Sequence, residues 1–328
     1  MEKHEEKKKK QDLGIFYTPP EVVNFIFDIL NVWKKKEDKK TGRWESRKHS
    51  PSIIDPAVGD GIFLKSALEK NFTLPKYVFG VDIDEEAKEK WVKINLLKSF
   101  GSRAELDNHF YHQNGLLPLD ETKVFRHKTG GLKEFDIAVG NPPYGGIGVD
   151  FGGKLTSENM KLLEALEKFD IFSHKKIGNI KKTETNGQNS LFFGDEVSTK
   201  QRSVGRKDLV GLAHGMPIEI LFVERFIQLV KPNGWIAVII PDGILSNSNA
   251  HYVRDFIASK TKIEAIVSLP RETFKHAGTG AKTSILFLKK LPDKEKFSLD
   301  YRVFLASVEK ISKENFQTVE KSYQKFYN

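Results

Sequence analysis

Strands and helices alternate along most of this chain of 328 residues, and no other feature limits its fold as strongly. Pro19-Pro20 opens a helix in the way proline opens a first turn, and Val22, Val23, Phe25, Ile26, Ile29 and Leu30 follow at helical spacing. The pattern then predicts a strand at 52–54, a glycine turn, a helix over 62–68, a strand at 77–81, a helix over 85–97 and a short strand at 110–112. A strand over 136–139 runs into Asn141, and a helix over 218–230 precedes a strand at 235–240. A helix over 251–259 leads to the last pair of strands, 263–268 and 283–288. Such alternation implies an α/β fold with a doubly wound, mostly parallel seven-stranded sheet. About fourteen residues without helical pattern join the final pair, too few for a packed crossover helix, so the last strand is expected antiparallel.

Three segments stand outside this rhythm. Residues 1–13 read as a charged flexible tail, 145–215 as an insert in the main domain 14–290, and 291–328 as a C-terminal extension. The insert mixes glycine, asparagine, serine and basic residues around one expected helix at 157–168 and reads as an inserted lobe or mobile loop. The extension holds a strand candidate at 301–307 and then a lysine-rich helical stretch. With no cysteine, disulfides, thiolate metal sites and a cysteine nucleophile are excluded, which suits a cytoplasmic protein. No apolar run approaches the ~18 residues of a membrane span. The net charge of +9 is concentrated: residues 34–48 and 175–207 each hold eight Lys or Arg against three Asp or Glu, and 271–290 hold five against one. Basic runs of this kind are commonly solvated loops, so polyanion binding needs support from motifs.

The motifs sit at strand ends. Asp55-Pro56-Ala57-Val58-Gly59-Asp60-Gly61 lies between a strand and a helix, where glycines permit a tight turn and close backbone approach to a ligand. Leu64 occupies the third position of a dinucleotide fingerprint and blocks that reading, and no phosphate loop is present. What remains is a loop for an uncharged-tail ligand such as an adenosyl amino acid, with Asp55 expected to meet its ammonium group. Asp82, ending the next strand, suits two ribose hydroxyls, while Asp84 fits a helix N-cap. Asn141-Pro142-Pro143-Tyr144 follows the strand over 136–139 at the carboxyl edge of the sheet, where such folds bind ligands. An exocyclic aromatic amine is a weak nucleophile that needs hydrogen-bond acceptors more than a strong base. The Asn141 side-chain oxygen and the Pro142 carbonyl supply two, proline stiffens the loop, and Tyr144 offers a face for an extruded base.

On these residues the chain resembles the gamma-arranged adenine-specific DNA methyltransferases, most closely the modification subunits of type I restriction-modification systems. Phe16-Tyr17-Thr18-Pro19-Pro20 is similar to the family's amino-terminal cofactor motif, Asp55 to Phe63 to its glycine motif, and Asn141 to Tyr144 to its catalytic motif. The likeness continues through Leu229 to Trp235, Ile240 to Leu245, Leu269 to Phe274 and Gly280 to Ser284. The resemblance implies a Rossmann-like S-adenosylmethionine-dependent methyltransferase fold over 14–290 and methylation of adenine N6 in double-stranded DNA. It implies cofactor contacts from Tyr17, Thr18, Asp55, Ala57, Gly59, Gly61, Phe63, Asp82, Ile83 and Asn114, catalysis by Asn141, Pro142, Pro143 and Tyr144, and a flipped base held between Tyr144 and Phe274. Asn114 stands where the family usually has an aspartate, and Val58 and Asp60 replace small residues of the glycine loop. The residues after Lys290 leave no room for a target-recognition domain, so specificity is expected from the 145–215 insert, from a missing carboxyl-terminal part or, the favoured reading, from a separate specificity subunit as partner, with a restriction subunit as a further one. Two other readings compete. Methylation of a ribosomal RNA base or a protein glutamine would use the same acceptors, although the amino-terminal motif argues against it. A catalytically silent DNA-binding or assembly subunit is the third reading, motivated by Val58, Asp60 and Asn114.

Overall fold

A computed structural model describes residues 17–41, 50–119, 134–144, 148–149, 151, 156–184, 204–277, 280–292 and 300–327. The expected charged tail and much of the insert, including 185–203, lie outside the described residues. Helix α1 (Pro20–Thr41) begins at the proline pair, with the Val22 and Val23 amides donating to the Pro19 carbonyl at 3.0 and 3.2 Å. Then come β1 (Ile53–Asp55), α2 (Ile62–Glu69), β2 (Val78–Asp82), α3 (Ala87–Lys93), α4 (Leu96–Phe100), α5 (Arg103–Asp107), β3 (Phe110–His112) and β4 (Phe135–Gly140). Helices α6 (Ser157–Leu166), α7 (Ile171–Glu184) and α8 (Arg206–Ala213) lead to α9 (Ile218–Leu229) and β5 (Val230–Pro241). The chain continues through α10 (Asp242–Ser246), α11 (His251–Lys260), β6 (Thr261–Ser268), β7 (Thr283–Lys290), β8 (Phe304–Ser307) and α12 (Lys313–Tyr327).

The sheet has eight strands in the order β3-β2-β1-β4-β5-β7-β6-β8. Its first five are mutually parallel, and β7 runs antiparallel between β5 and β6, as the short connection requires. The strand count exceeds the expected seven because the candidate at 301–307 forms β8, parallel to β6. Along β5, Trp235, Ala237 and Ile239 enter one core and Ile236, Val238 and Ile240 the other, which is why this strand reads as an unbroken apolar run. The first core takes α1, α2, α3 and α12, and the second takes α9, α11 and the described part of the insert. Strand order turns between β1 and β4: β2 lies to one side of β1 and β4 to the other. The connections leaving their carboxyl ends therefore pass to opposite faces of the sheet and leave a crevice, the usual ligand position in an open α/β sheet.

Two local readings change. The helix expected over 85–97 is broken, because Asn95 takes a left-handed backbone at φ 66° that separates α3 from α4. The described insert residues are packed helices rather than a separate lobe. Leu163, Leu166, Phe169, Phe172 and Leu209 are buried in the second core, and α7 packs on α11. The buried Glu224 carboxylate of α9 accepts the Asp170 and Ile171 amides at 2.7 and 2.9 Å, tying down the start of α7.

Candidate active site

The crevice is built from strand ends. Beyond β1, the Val58 amide donates to the Val81 carbonyl at 2.9 Å, folding the 55–61 loop against β2. Gly61 starts α2 at φ 81°, and a Cβ there would come within 2.8 Å of Trp91 and Leu96, so the loop turns only with glycine at that position. Asp55 is 1% exposed, and its Oδ1 accepts the Ala57 amide at 3.0 Å. Burial holds its carboxyl well above the usual carboxylate range despite that bond, and the Asp82 and Asp60 charges add to the effect. Asp82 bridges loop and strand: Oδ2 accepts the Gly59 amide at 2.7 Å and Oδ1 the Asp84 amide at 2.8 Å. Burial also raises the Asp82 and Asp60 carboxyls above their ordinary values. Asp84 is not diverted to ligand duty, since it ion-pairs with Lys90 at 2.9 Å and accepts the Glu86 amide at 3.3 Å.

A cleft of about 920 Å³, counting its open mouth, joins these groups to the end of β4. Tyr17, Thr18, Asp55, Ala57, Gly59, Phe63, Asp82, Ile83, Asn114, Asn141 and Pro143 all line it. Of the ten expected cofactor contacts only Gly61 does not; it lies behind the loop against Trp91. At the junction the Asn141 Nδ2 donates to the Thr18 hydroxyl at 3.2 Å, which connects the amino-terminal segment to the loop after β4. Asn114 follows β3, and its Oδ1 accepts the Leu116 amide at 3.0 Å. The next residues are held from below. Arg225, buried on α9, donates to the Gly115 and Leu117 carbonyls at 3.0 and 2.6 Å.

Pro142 is buried and does not line the cleft. Tyr144 and Phe274 are each 1% exposed, with ring centroids 6.2 Å apart at 83°. They touch edge to face, so a base can enter between them only if the rings separate. Burial pushes the Tyr144 phenol above its ordinary range, Asn141 opposes this through a side-chain hydrogen bond, and the Glu219 charge reinforces it. The phenol is therefore neutral at physiological pH and offers a hydroxyl and an apolar ring, not a base.

Several contributors carried no distinctive sequence signal. Ile218 and Phe222, one helical turn apart on α9, close one wall but look like ordinary core residues. Pro56, Ile62 and Gly115 follow from their neighbours in the motifs, and Val58 and Asp60, first noticed as unusual loop residues, also face the cleft. Gly140 matters through close approach, since a Cβ there would lie 2.5 Å from the Asp55 Oδ1.

Known proteins resemble this chain in sequence and in fold. A family model described as N-6 DNA Methylase matches residues 1–161 and 196–327. The type I restriction enzyme EcoEI methylase subunit of Escherichia coli is 24% identical over 296 residues, covering 86% of this chain and 44% of that protein. The chain thus spans less than half the length of this curated relative. Among solved structures, a Listeria monocytogenes protein assigned to the class I S-adenosylmethionine-dependent methyltransferases superposes with a TM-score of 0.55 at 20% identity, over 95% of this chain and 72% of that one. The methyltransferase subunit of a Streptococcus thermophilus type I restriction-modification system gives 0.52 at 15% identity, over 94% and 53%. At such identities these structural matches speak for the fold alone.

Proposed function

The chain belongs to the N-6 DNA methylase family, and from that premise we propose that it transfers a methyl group from S-adenosylmethionine to the N6 amine of an adenine flipped out of double-stranded DNA. The observation that carries this reading is that Asn141 and nine of the ten expected cofactor contacts line one cleft. The cleft's chemistry fits the cofactor. Asp55, Asp60 and Asp82 line it and, among the described residues, no Lys, Arg or His does, which suits a cationic adenosyl amino acid and disfavours a polyphosphate.

When bound, S-adenosylmethionine supplies an electrophilic methyl on a sulfonium. Asp55 would hold the ammonium group, Asp82 the ribose hydroxyls, and Asn114 and its neighbours the adenine end. The Asn141 oxygen and the Pro142 carbonyl each accept one N–H of the target amine, pulling its lone pair out of ring conjugation and steadying the positive charge that develops on nitrogen. Tyr144 and Phe274 part to admit the flipped base, which stacks on the freed ring faces. The chain works as a modification subunit, with sequence choice supplied by a separate specificity subunit and cleavage by a restriction subunit. Labelled methyl transfer to unmethylated DNA, with and without the products of neighbouring genes, tests this. Label recovered as N6-methyladenine is the expected result. Absence of transfer in every combination, with cofactor bound, overturns it.

A further inference from the structure

Asp60 has no assigned task in this scheme. It lines the cleft beside Asp55 and Asp82, and its Oδ1 accepts the Ile62 amide at 3.1 Å, closing the turn into α2. An asparagine could make that hydrogen bond equally well, so what the aspartate adds is its charge. That charge is only partly offset by its surroundings. Lys90 and Lys65 both act on Asp60, but Lys90 is already ion-paired with Asp84 at 2.9 Å and Lys65 with Glu69 at 3.7 Å, and no cationic side chain lines the cleft among the described residues. Two of the three lining carboxylates suffice for the ammonium and the ribose. The third makes the cleft more negative than recognition of those groups requires.

We propose that Asp60 sets the charge preference of this cleft, favouring the cationic cofactor that carries the methyl over the product that has lost it. The proposal rests on the S-adenosylmethionine reading above. S-adenosylmethionine has a sulfonium, an ammonium and a carboxylate, hence a net positive charge. After transfer the methyl–sulfur bond is broken with its electron pair left on sulfur, and S-adenosylhomocysteine has no net charge. A fixed carboxylate in a partly desolvated cleft attracts the first and gains nothing from the second. The site thereby weakens its hold on the product as soon as transfer is complete.

Calorimetric titration of the full chain with S-adenosylmethionine and S-adenosylhomocysteine, for the wild type and Asp60→Asn, tests the proposal. The substitution keeps the oxygen that accepts from Ile62 and removes only the charge. The wild type should bind S-adenosylmethionine the more tightly. In Asp60→Asn the dissociation constant of S-adenosylhomocysteine divided by that of S-adenosylmethionine should fall about five- to tenfold, the expected influence of one partly screened charge. The change should lie in S-adenosylmethionine, with the product's affinity within about twofold. Unchanged affinities, or an equal loss for both ligands, overturn the proposal while leaving the cofactor reading in place; the latter marks Asp60 as merely structural. A wild type that binds neither ligand removes the cofactor reading and this proposal together.

Discussion

Gly140 and Asn141 are adjacent, yet their substitution should have different consequences. A Cβ at position 140 would lie 2.5 Å from the Asp55 Oδ1 and 3.0 Å from the Phe226 ring, so Gly140→Ala must displace the carboxylate expected to hold the cofactor. Overpacking of this kind costs about 1–3 kcal/mol, and cofactor affinity and transfer should both fall at least about tenfold. Asn141→Ala removes an acceptor directed at the target amine. Transfer should drop about a hundredfold or more, while cofactor affinity, measured calorimetrically, changes less than about threefold. Equal losses of affinity in the two variants would contradict the separate roles. At this scale Asp55, Asp82 and Asn141 were legible because polar residues at the carboxyl ends of predicted strands have few structural reasons to be there. Gly140 was not, since its requirement arises from a side chain 85 positions earlier that only the parallel pairing of β1 and β4 brings beneath it.

Helix α9 shows what a single element can conceal. Its sequence, Ile218 to Leu229, reads as a buried apolar helix, but it carries Glu224 and Arg225 at 3% and 8% exposure. The first anchors the insert and the second the wall of the cleft. Because the Glu224 partners are backbone amides of residues 170 and 171, nothing in the glycine- and lysine-bearing segment that follows announces α7 as a packed helix. The broken helix at Asn95 was hidden for a related reason, as apolar spacing continues across a single left-handed residue. Burial raises the Glu224 carboxyl from an ordinary 4.5 to about 7, against the amide hydrogen bonds. With the folded value above the unfolded one, its contribution to stability is fully present below pH 4.5 and is lost as pH rises through about 7. The loss amounts to about 3 kcal/mol. Glu224→Gln has no such titration and one acceptor fewer, so it should be the less stable protein at pH 5 and lose that disadvantage by pH 8. Urea unfolding at a series of pH values measures this, and parallel curves for the two proteins would show that Glu224 does not titrate in that range.

For the whole molecule, the mostly parallel sheet followed from the alternation of elements, and the antiparallel β7 from a short connection. The extent of the core did not, because a lysine-rich C-terminal helix has the composition of a solvated appendage. Helix α12 instead buries Phe316, Val319 and Tyr323 in the same core as α1. Phe316 stacks on Phe25 at 4.7 Å, Tyr323 meets Phe304 of β8 edge-on at 5.2 Å, and the Trp33 indole N–H donates to the Tyr323 hydroxyl. Its lysines occupy the opposite face, so composition conceals an amphipathic element that closes one side of the sheet. Three buried side chains at about 1.5–3 kcal/mol each contribute about 5 kcal/mol or more, comparable with the whole stability of a typical domain. A variant ending at Val308 also uncovers Trp33 and Phe25. It should melt at least about 10 °C lower than the full chain, or lose cooperative unfolding altogether. Calorimetric melting of the two proteins decides the matter. If the shortened chain melts with the full one, α12 lies on the fold without supporting it, and the core ends at β8.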